Sequence, residues 1–267
     1  GNYEPAEKYF RAALLTKTTE KYRKNAFWNI IILTQQRGDY EEMARICLEL
    51  WRKTGDTGAK EKVESLINRF LWTDNKEAVE LYNQGLAKKK IDKIDEAAGL
   101  YRQATGVDSN FLAPRFELAM MAYHRGDYNT AAENLRPVVQ AIPFYGEASL
   151  VMGDIEFNRR YFDRAAEYFT KSLEFGFNNR ESEFIIYFKR GNCYYQMDDL
   201  DKAKADLARA SDLDKKSVKP LLLLSAIQIR QKNYDEALST LTRADKIDRD
   251  NPMILFQIGS IYYKKDD

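Results

Sequence analysis

Histidine is nearly absent from this chain: His124 is the single one in 267 residues. That scarcity excludes a histidine-based nucleophile pair and a histidine-rich metal site. Cysteine is almost as scarce. Cys47 and Cys193 stand far apart, each in an apolar helical context, and no Cys-x-x-Cys zinc spacing occurs. No disulfide is expected between them, and two buried free thiols fit a reducing compartment. Six Pro and 13 Gly are too few for a loop-rich all-β chain. No apolar run approaches the ~18 residues of a membrane span, so no membrane insertion is expected. Neither sign of charge dominates. Lys+Arg number 42 against 41 Asp+Glu, a net charge of +1, which provides no global field for nucleic acid. Glycine-rich phosphate loops are missing as well. No cofactor, metal ion or catalytic residue is assigned.

What the chain does have is aromatic residues, with 17 Tyr, 14 Phe and 3 Trp, and a recurring spacing. The stretch RGDY occurs twice, at Arg37–Tyr40 and Arg125–Tyr128. Related segments begin at Gly1, Gly38, Asp92, Gly126, Arg160, Asp198, Lys232 and Asp266, with gaps of 37, 54, 34, 34, 38, 34 and 34. Each starts with a turn residue. Asn2, Asp39, Asp127, Asp199 and Asn233 follow it as helix N-caps, with Glu42 and Glu236 placed as capping-box partners. An apolar residue comes next, then a small one: Ala6, Ala97, Ala131, Ala165, Ala203 and Ala237, with Met43 the exception. Four residues on stands a larger apolar group: Phe10, Cys47, Tyr101, Leu135, Phe169, Leu207 and Leu241. That is one face of a helix. Seven residues before each turn a second small residue recurs, in Gly85, Ala119, Gly153, Gly191, Ser225 and Gly259, with Ile31 departing. Glycine inside a helix costs ~1 kcal/mol relative to alanine, so its return at one phase points to two helices that cross closely.

The period of 34 and the paired small residues resemble the tetratricopeptide repeat family. The resemblance covers nearly the whole chain. The family's signature tryptophan is replaced, by Phe27, Leu81, Arg115, Ser149, Tyr187, Leu221 and Leu255, and its proline appears once, as Pro143. The resemblance implies an all-α, right-handed superhelical solenoid of antiparallel helix pairs. Residues 1–57 read as degenerate N-terminal repeats, 58–77 as an extra helix or joint, and 78–267 as the main array of about five units plus an unpaired final helix. Residues 1–15 read as the second helix of a unit whose first is missing, so the chain is expected to be a fragment of a longer array. The joint carries an apolar stripe, Val63, Leu66, Ile67, Phe70 and Leu71. The stretch NNRESEF, within the gap of 38, is expected to be a longer surface loop. RGDY reads as a repeat turn, with Asp as cap and Tyr buried, rather than as an adhesion ligand.

By resemblance, the first helices line a concave groove. The expected partner-binding residues are Tyr82, Lys89, Phe116, Met120, Tyr123, His124, Leu150, Asp154, Phe157, Phe188, Asn192, Tyr195, Lys219 and Arg230. Aromatic anchors of this kind suit an extended peptide or an amphipathic helix of a partner protein. Chaperone adaptors of the family carry a carboxylate clamp that begins with lysine. Trp28, Tyr82, Phe116, Leu150, Phe188 and Leu222 stand at that place instead, so an EEVD-type tail is not the expected ligand. Lys88–Lys90 end a helix, where cations suit the dipole, and no nucleic acid is expected as partner. The reading is a non-catalytic protein-interaction scaffold. Its alternatives are a self-assembling structural component, or the regulatory array of a larger enzyme.

Overall fold

A repeat built from two amphipathic segments must bury its small residues where the segments cross. The computed structural model shows how. It describes residues 3–16 and 19–266. Among them are fifteen α-helices and no strand: α1 (Glu4–Leu15), α2 (Glu20–Gln36), α3 (Tyr40–Thr54), α4 (Thr57–Leu71), α5 (Lys76–Lys90), α6 (Ile94–Val107), α7 (Leu112–His124), α8 (Tyr128–Ala141), α9 (Gly146–Asn158), α10 (Phe162–Phe175), α11 (Arg180–Gln196), α12 (Leu200–Leu213), α13 (Lys219–Arg230), α14 (Tyr234–Ile247) and α15 (Pro252–Asp266). None is long and apolar enough to cross a membrane. Gly1 and Asn2, expected as the first turn and cap, and Asp267, expected in the last turn, lie outside the described residues. Packing divides the chain into two compact units, Gly1–Ala148 with Glu174–Phe177, and Ser149–Leu173 with Asn178–Asp267.

The turns explain the spacing. Gly38, Asp92, Gly126, Arg160, Asp198 and Lys232 stand at one phase of the repeat, and all have φ between 59° and 75°. A left-handed residue here ends one helix and aims the next back along it. Only glycine reaches that region without strain, while other L-residues give up roughly 1–2 kcal/mol. Arg160→Gly and Lys232→Gly are therefore each expected to stabilise the protein by about 0.5–1 kcal/mol. Gly126→Ala should cost about 1 kcal/mol, although an added Cβ there meets nothing within 4 Å. Denaturant midpoints of the three variants against the parent check the sign of each.

The crossings are where the alanines and glycines were expected. Ala97, Ala131, Ala165, Ala203 and Ala237 are fully buried, as are Tyr101, Leu135, Phe169, Leu207 and Leu241 one turn later. Three of the expected glycines face their partner helix, while Gly259, in the final helix α15, meets nothing within 4 Å. A Cβ on Gly85 would stand 2.5 Å from the Tyr101 ring, one on Gly153 2.8 Å from Phe169, and one on Gly191 3.0 Å from Leu207. The N-terminal helices differ: Ile31 and Met43 are buried at the small-residue phases, Ala6 is exposed and Phe10 is half-buried.

The caps follow the sequence in three turns and depart from it in one. Asp39, Asp127 and Asp199 accept the amide N–H of Glu42, Thr130 and Lys202 at 3.1, 3.1 and 3.3 Å. Asn233 makes no side-chain cap bond, and the Glu236 carboxylate instead accepts from the Gln228 amide at 2.8 Å. Glu42 likewise gives its carboxylate to Arg11 and Arg45. The N-cap amides are already engaged, Asp39 N–H by the Thr34 carbonyl at 3.0 Å and Asn233 N–H by the Gln228 carbonyl at 2.8 Å, so neither expected capping box closes. The box that does close, Asn179 with Ser182, opens α11. This corrects the loop expected at NNRESEF: the extra residues extend α11 to 17 residues, roughly one added turn.

Both RGDY stretches are turns. Arg37 pairs with Glu7 at 2.7 Å and Arg125 with Asp95 at 2.7 Å, each reaching back to the second helix of the preceding repeat. Lys265 repeats the relation with Asp235 at 2.6 Å. Tyr40 and Tyr128 are half-buried rather than buried. Hydrogen bonds from the Thr130 side chain and amide hold the Asp127 carboxyl below its ordinary value. Its contribution is therefore complete above the unfolded aspartate value and is lost as pH falls through the lowered folded value. Asp127→Ala is expected to lower the melting temperature at pH 7, with the gap to the parent closing in acid. Arg125→Ala should change little, because exposed ion pairs contribute ~0–1 kcal/mol.

In the first unit α4 is anchored through its cap. Asp56 accepts the Ala59 amide at 3.0 Å and pairs with Lys24 at 2.5 Å. Burial of Val63, Leu66 and Ile67 follows the expected stripe, and the Phe70 ring meets Tyr40 at 5.7 Å and Phe144 at 6.0 Å. A second feature has no counterpart in neighbour-only stacking. The Arg52 guanidinium donates to the carbonyl oxygens of Glu174 and Gly176 at 2.8 and 3.0 Å, and Trp51 meets Phe177 edge-on at 5.3 Å. Cys47 and Cys193 are free and buried. Burial pushes both thiols up to about 12, far from thiolate chemistry at neutral pH.

Candidate functional site

Helices α5 and α7 are first helices of adjacent pairs, and residues three and four apart on each share a face. In the first unit that geometry gathers Lys89, Phe116, Met120 and His124 around one cleft of about 460 Å³. Ile94, Glu117, Met121, Arg125 and Glu147 complete its lining. The apolar part is Ile94, Phe116 and the two methionines. Phe116 is steadied by the Tyr145 ring at 5.5 Å. Burial, with the Glu147 and Glu117 carboxylates nearby, raises the Tyr145 phenol above its usual range.

Both cations at the cleft have carboxylate partners. Lys89 Nζ donates to Glu117 Oε2 at 2.7 Å, and Glu117 keeps only 17% of its side chain exposed. Arg125 is engaged by Asp95. The His124 ring lies 5.4 Å from that of Tyr123.

The other expected groove residues have different places. Tyr82 is buried, with its ring 5.8, 5.5 and 5.2 Å from Trp72, Tyr101 and Phe111. It is core, pulled inward by Trp72 and Phe111, which sit just outside the helices. Tyr123 is half-buried, its ring 6.1 Å from Tyr128. In the second unit, Leu150 and Phe157 pack on the core of Ala165, Phe169, Ile186 and Cys193. Asp154 is buried and paired with Lys189. Phe188 and Tyr195 pack against Ala203, Leu207 and Ile227. Asn192 is half-buried and accepts from the Gln196 amide at 3.3 Å. Lys219 and Arg230 are exposed, Arg230 paired with Asp198 at 2.8 Å. The first unit thus presents four of the expected residues at one cleft, while most of those in the second unit do structural duty. Glu117 and Met121 were missed although each follows a chosen residue directly. A fixed set of places on the repeat skips the neighbours that widen the face.

Among the described residues no cluster of His, Cys, Asp and Glu could hold a metal ion.

Tetratricopeptide repeat models match residues 193–255, and 82–145 and 116–179. Together these cover more than half of the 267 residues. Among solved structures, the chain is similar to YrrB, described as a TPR protein with an unusual peptide-binding site, with 20% identity and a TM-score of 0.61 over 68% of this chain and 93% of that one. It is also similar to MamA AMB-1 at 18% identity and a TM-score of 0.57, covering 67% of this chain and 95% of that one. A MamA fragment from residue 41 onward, from Desulfovibrio magneticus RS-1, gives 17% identity and a TM-score of 0.55, with 67% and 100% covered. At these identities the likeness carries the fold alone. With the repeat models, the 34-residue spacing and the helix pairs in agreement, the chain belongs to the tetratricopeptide repeat family, whose fold is that of a protein–protein interaction scaffold.

Proposed function

We propose that this protein is a non-catalytic scaffold that holds a peptide or helix of a partner protein on the first helices of its repeats. The observation that carries the reading is the cleft on α5 and α7, where Phe116 and Met120 offer apolar surface over the buried Met121, beside paired cations. Aromatic rings supply large contact area with few rotors to freeze, which suits an anchor. No group in the cleft is arranged as a nucleophile with its base.

Phe116 is half-buried and packs on Tyr145, outside the helix-crossing core. Phe116→Ser is expected to weaken partner binding by ~1–3 kcal/mol, the range of interface hot spots, while melting changes less than for a core substitution. The assay is titration of parent and variant with a co-purifying partner, alongside thermal melts. Unchanged affinity in the folded variant would remove the cleft from the account.

A further inference from the structure

We infer that the cleft on α5 and α7 seats an uncharged apolar side chain of the partner, of leucine, methionine or phenylalanine type, and not a carboxylate. This rests on the docking reading above and names its ligand chemistry.

The floor is Ile94, Phe116, Met120 and Met121. Thioethers are unbranched and polarisable, so they shape themselves to an apolar guest without fixing its outline. The rim could still select for an acidic residue, since Lys89 and Arg125 line it. Both cations are already taken: Lys89 by Glu117 at 2.7 Å and Arg125 by Asp95 at 2.7 Å. A ligand carboxylate that took Lys89 over would displace Glu117. That would strand a carboxylate whose side chain is only 17% exposed, and an uncompensated, largely buried charge is strongly unfavourable. Glu147, the other acid of the lining, adds repulsion against an incoming anion. An apolar side chain asks for no such exchange. It covers Phe116 and Met120 and leaves both ion pairs standing.

The test uses the whole chain with methyl-labelled methionine, observed by NMR, the Met120 and Met121 signals being assigned with single Met→Leu variants. Two probes are titrated into the millimolar range: N-acetyl-leucinamide, which is neutral, and the α-amide of N-acetylglutamate, which is anionic. Saturable shifts of the Met120 and Met121 methyls are expected with the leucine probe, lost in Phe116→Ser, and no saturable shift with the glutamate probe. Glu117→Gln should leave the leucine affinity within about twofold, because the guest makes no use of the Lys89–Glu117 pair. Saturation of the parent by the glutamate probe, or a loss of about tenfold in leucine affinity in Glu117→Gln, would make that ion pair the recognition element and overturn the inference. Silence from both probes overturns it too. In either case, partner binding that still depends on Phe116 would leave the docking reading intact.

Discussion

Gly153→Leu is expected to unfold the α9–α10 pair. Gly153 is fully enclosed, and even a single Cβ there would stand 2.8 Å from Phe169 Cδ1 and 3.3 Å from its Cγ. Phe169 is itself completely buried among Ala165, Ala166, Ile186 and Cys193, so the ring has nowhere to retreat. Overpacking a close-packed core costs ~1–3 kcal/mol, and more where neighbours cannot move. A leucine here belongs at or above the top of that range. Gly153→Ala should already destabilise. The informative contrast is Gly99→Ala, inside α6, where an added Cβ meets nothing within 4 Å. There the helix-propensity gain of ~1 kcal/mol acts alone and the variant should be more stable than the parent. Thermal or denaturant melts of the variants measure both signs. A Gly153→Ala protein as stable as Gly99→Ala would contradict the close crossing.

Phe169→Ser is the second large effect, about 3–5 kcal/mol, because it empties the seat that Gly153 makes room for and buries a hydroxyl. Phe188→Ser is the instructive partner. As a pure groove residue it would leave folding nearly untouched. The structure instead packs Phe188 on Ala203, Leu207 and Ile227 and stacks it 6.2 Å from Phe184. A half-buried ring then loses part of the full core value, about 2 kcal/mol. The expected order of melting temperatures is parent, Phe116→Ser, Phe188→Ser, Phe169→Ser. Phe188→Ser melting above Phe116→Ser would invert the assignment of groove and core.

The helix pairs were legible because two constraints repeat with the period. The turn needs a left-handed residue, and the crossing needs two small ones, so glycine and alanine mark the frame even where the signature tryptophan is gone. Arg160 and Lys232 show the limit: neither residue favours positive φ, and only their phase places them in the turn. The start of α11 was misread because an Asn-, Arg- and Ser-rich stretch resembles a loop until a capping bond turns it into helix. The site was half legible. A helix face can be read from spacing, but which ring on that face packs inward depends on groups from outside the repeat, as Trp72 and Phe111 do for Tyr82. The contact of Arg52 with residues 174–177 joins positions over a hundred apart and leaves no local trace.

The most direct test of the account places a photo-reactive phenylalanine analogue at Met120, in the cleft, and separately at Arg136, on the exposed face of α8. Each full-length variant is irradiated in extract from its native source and the cross-linked peptides are sequenced. The account predicts that Met120 captures one recurrent peptide of another protein, centred on a leucine, methionine or phenylalanine, that Arg136 does not capture it, and that Phe116→Ser abolishes the capture. Equal capture of the same peptide from Arg136, or capture that survives Phe116→Ser, would contradict the claim that this cleft is where the partner docks.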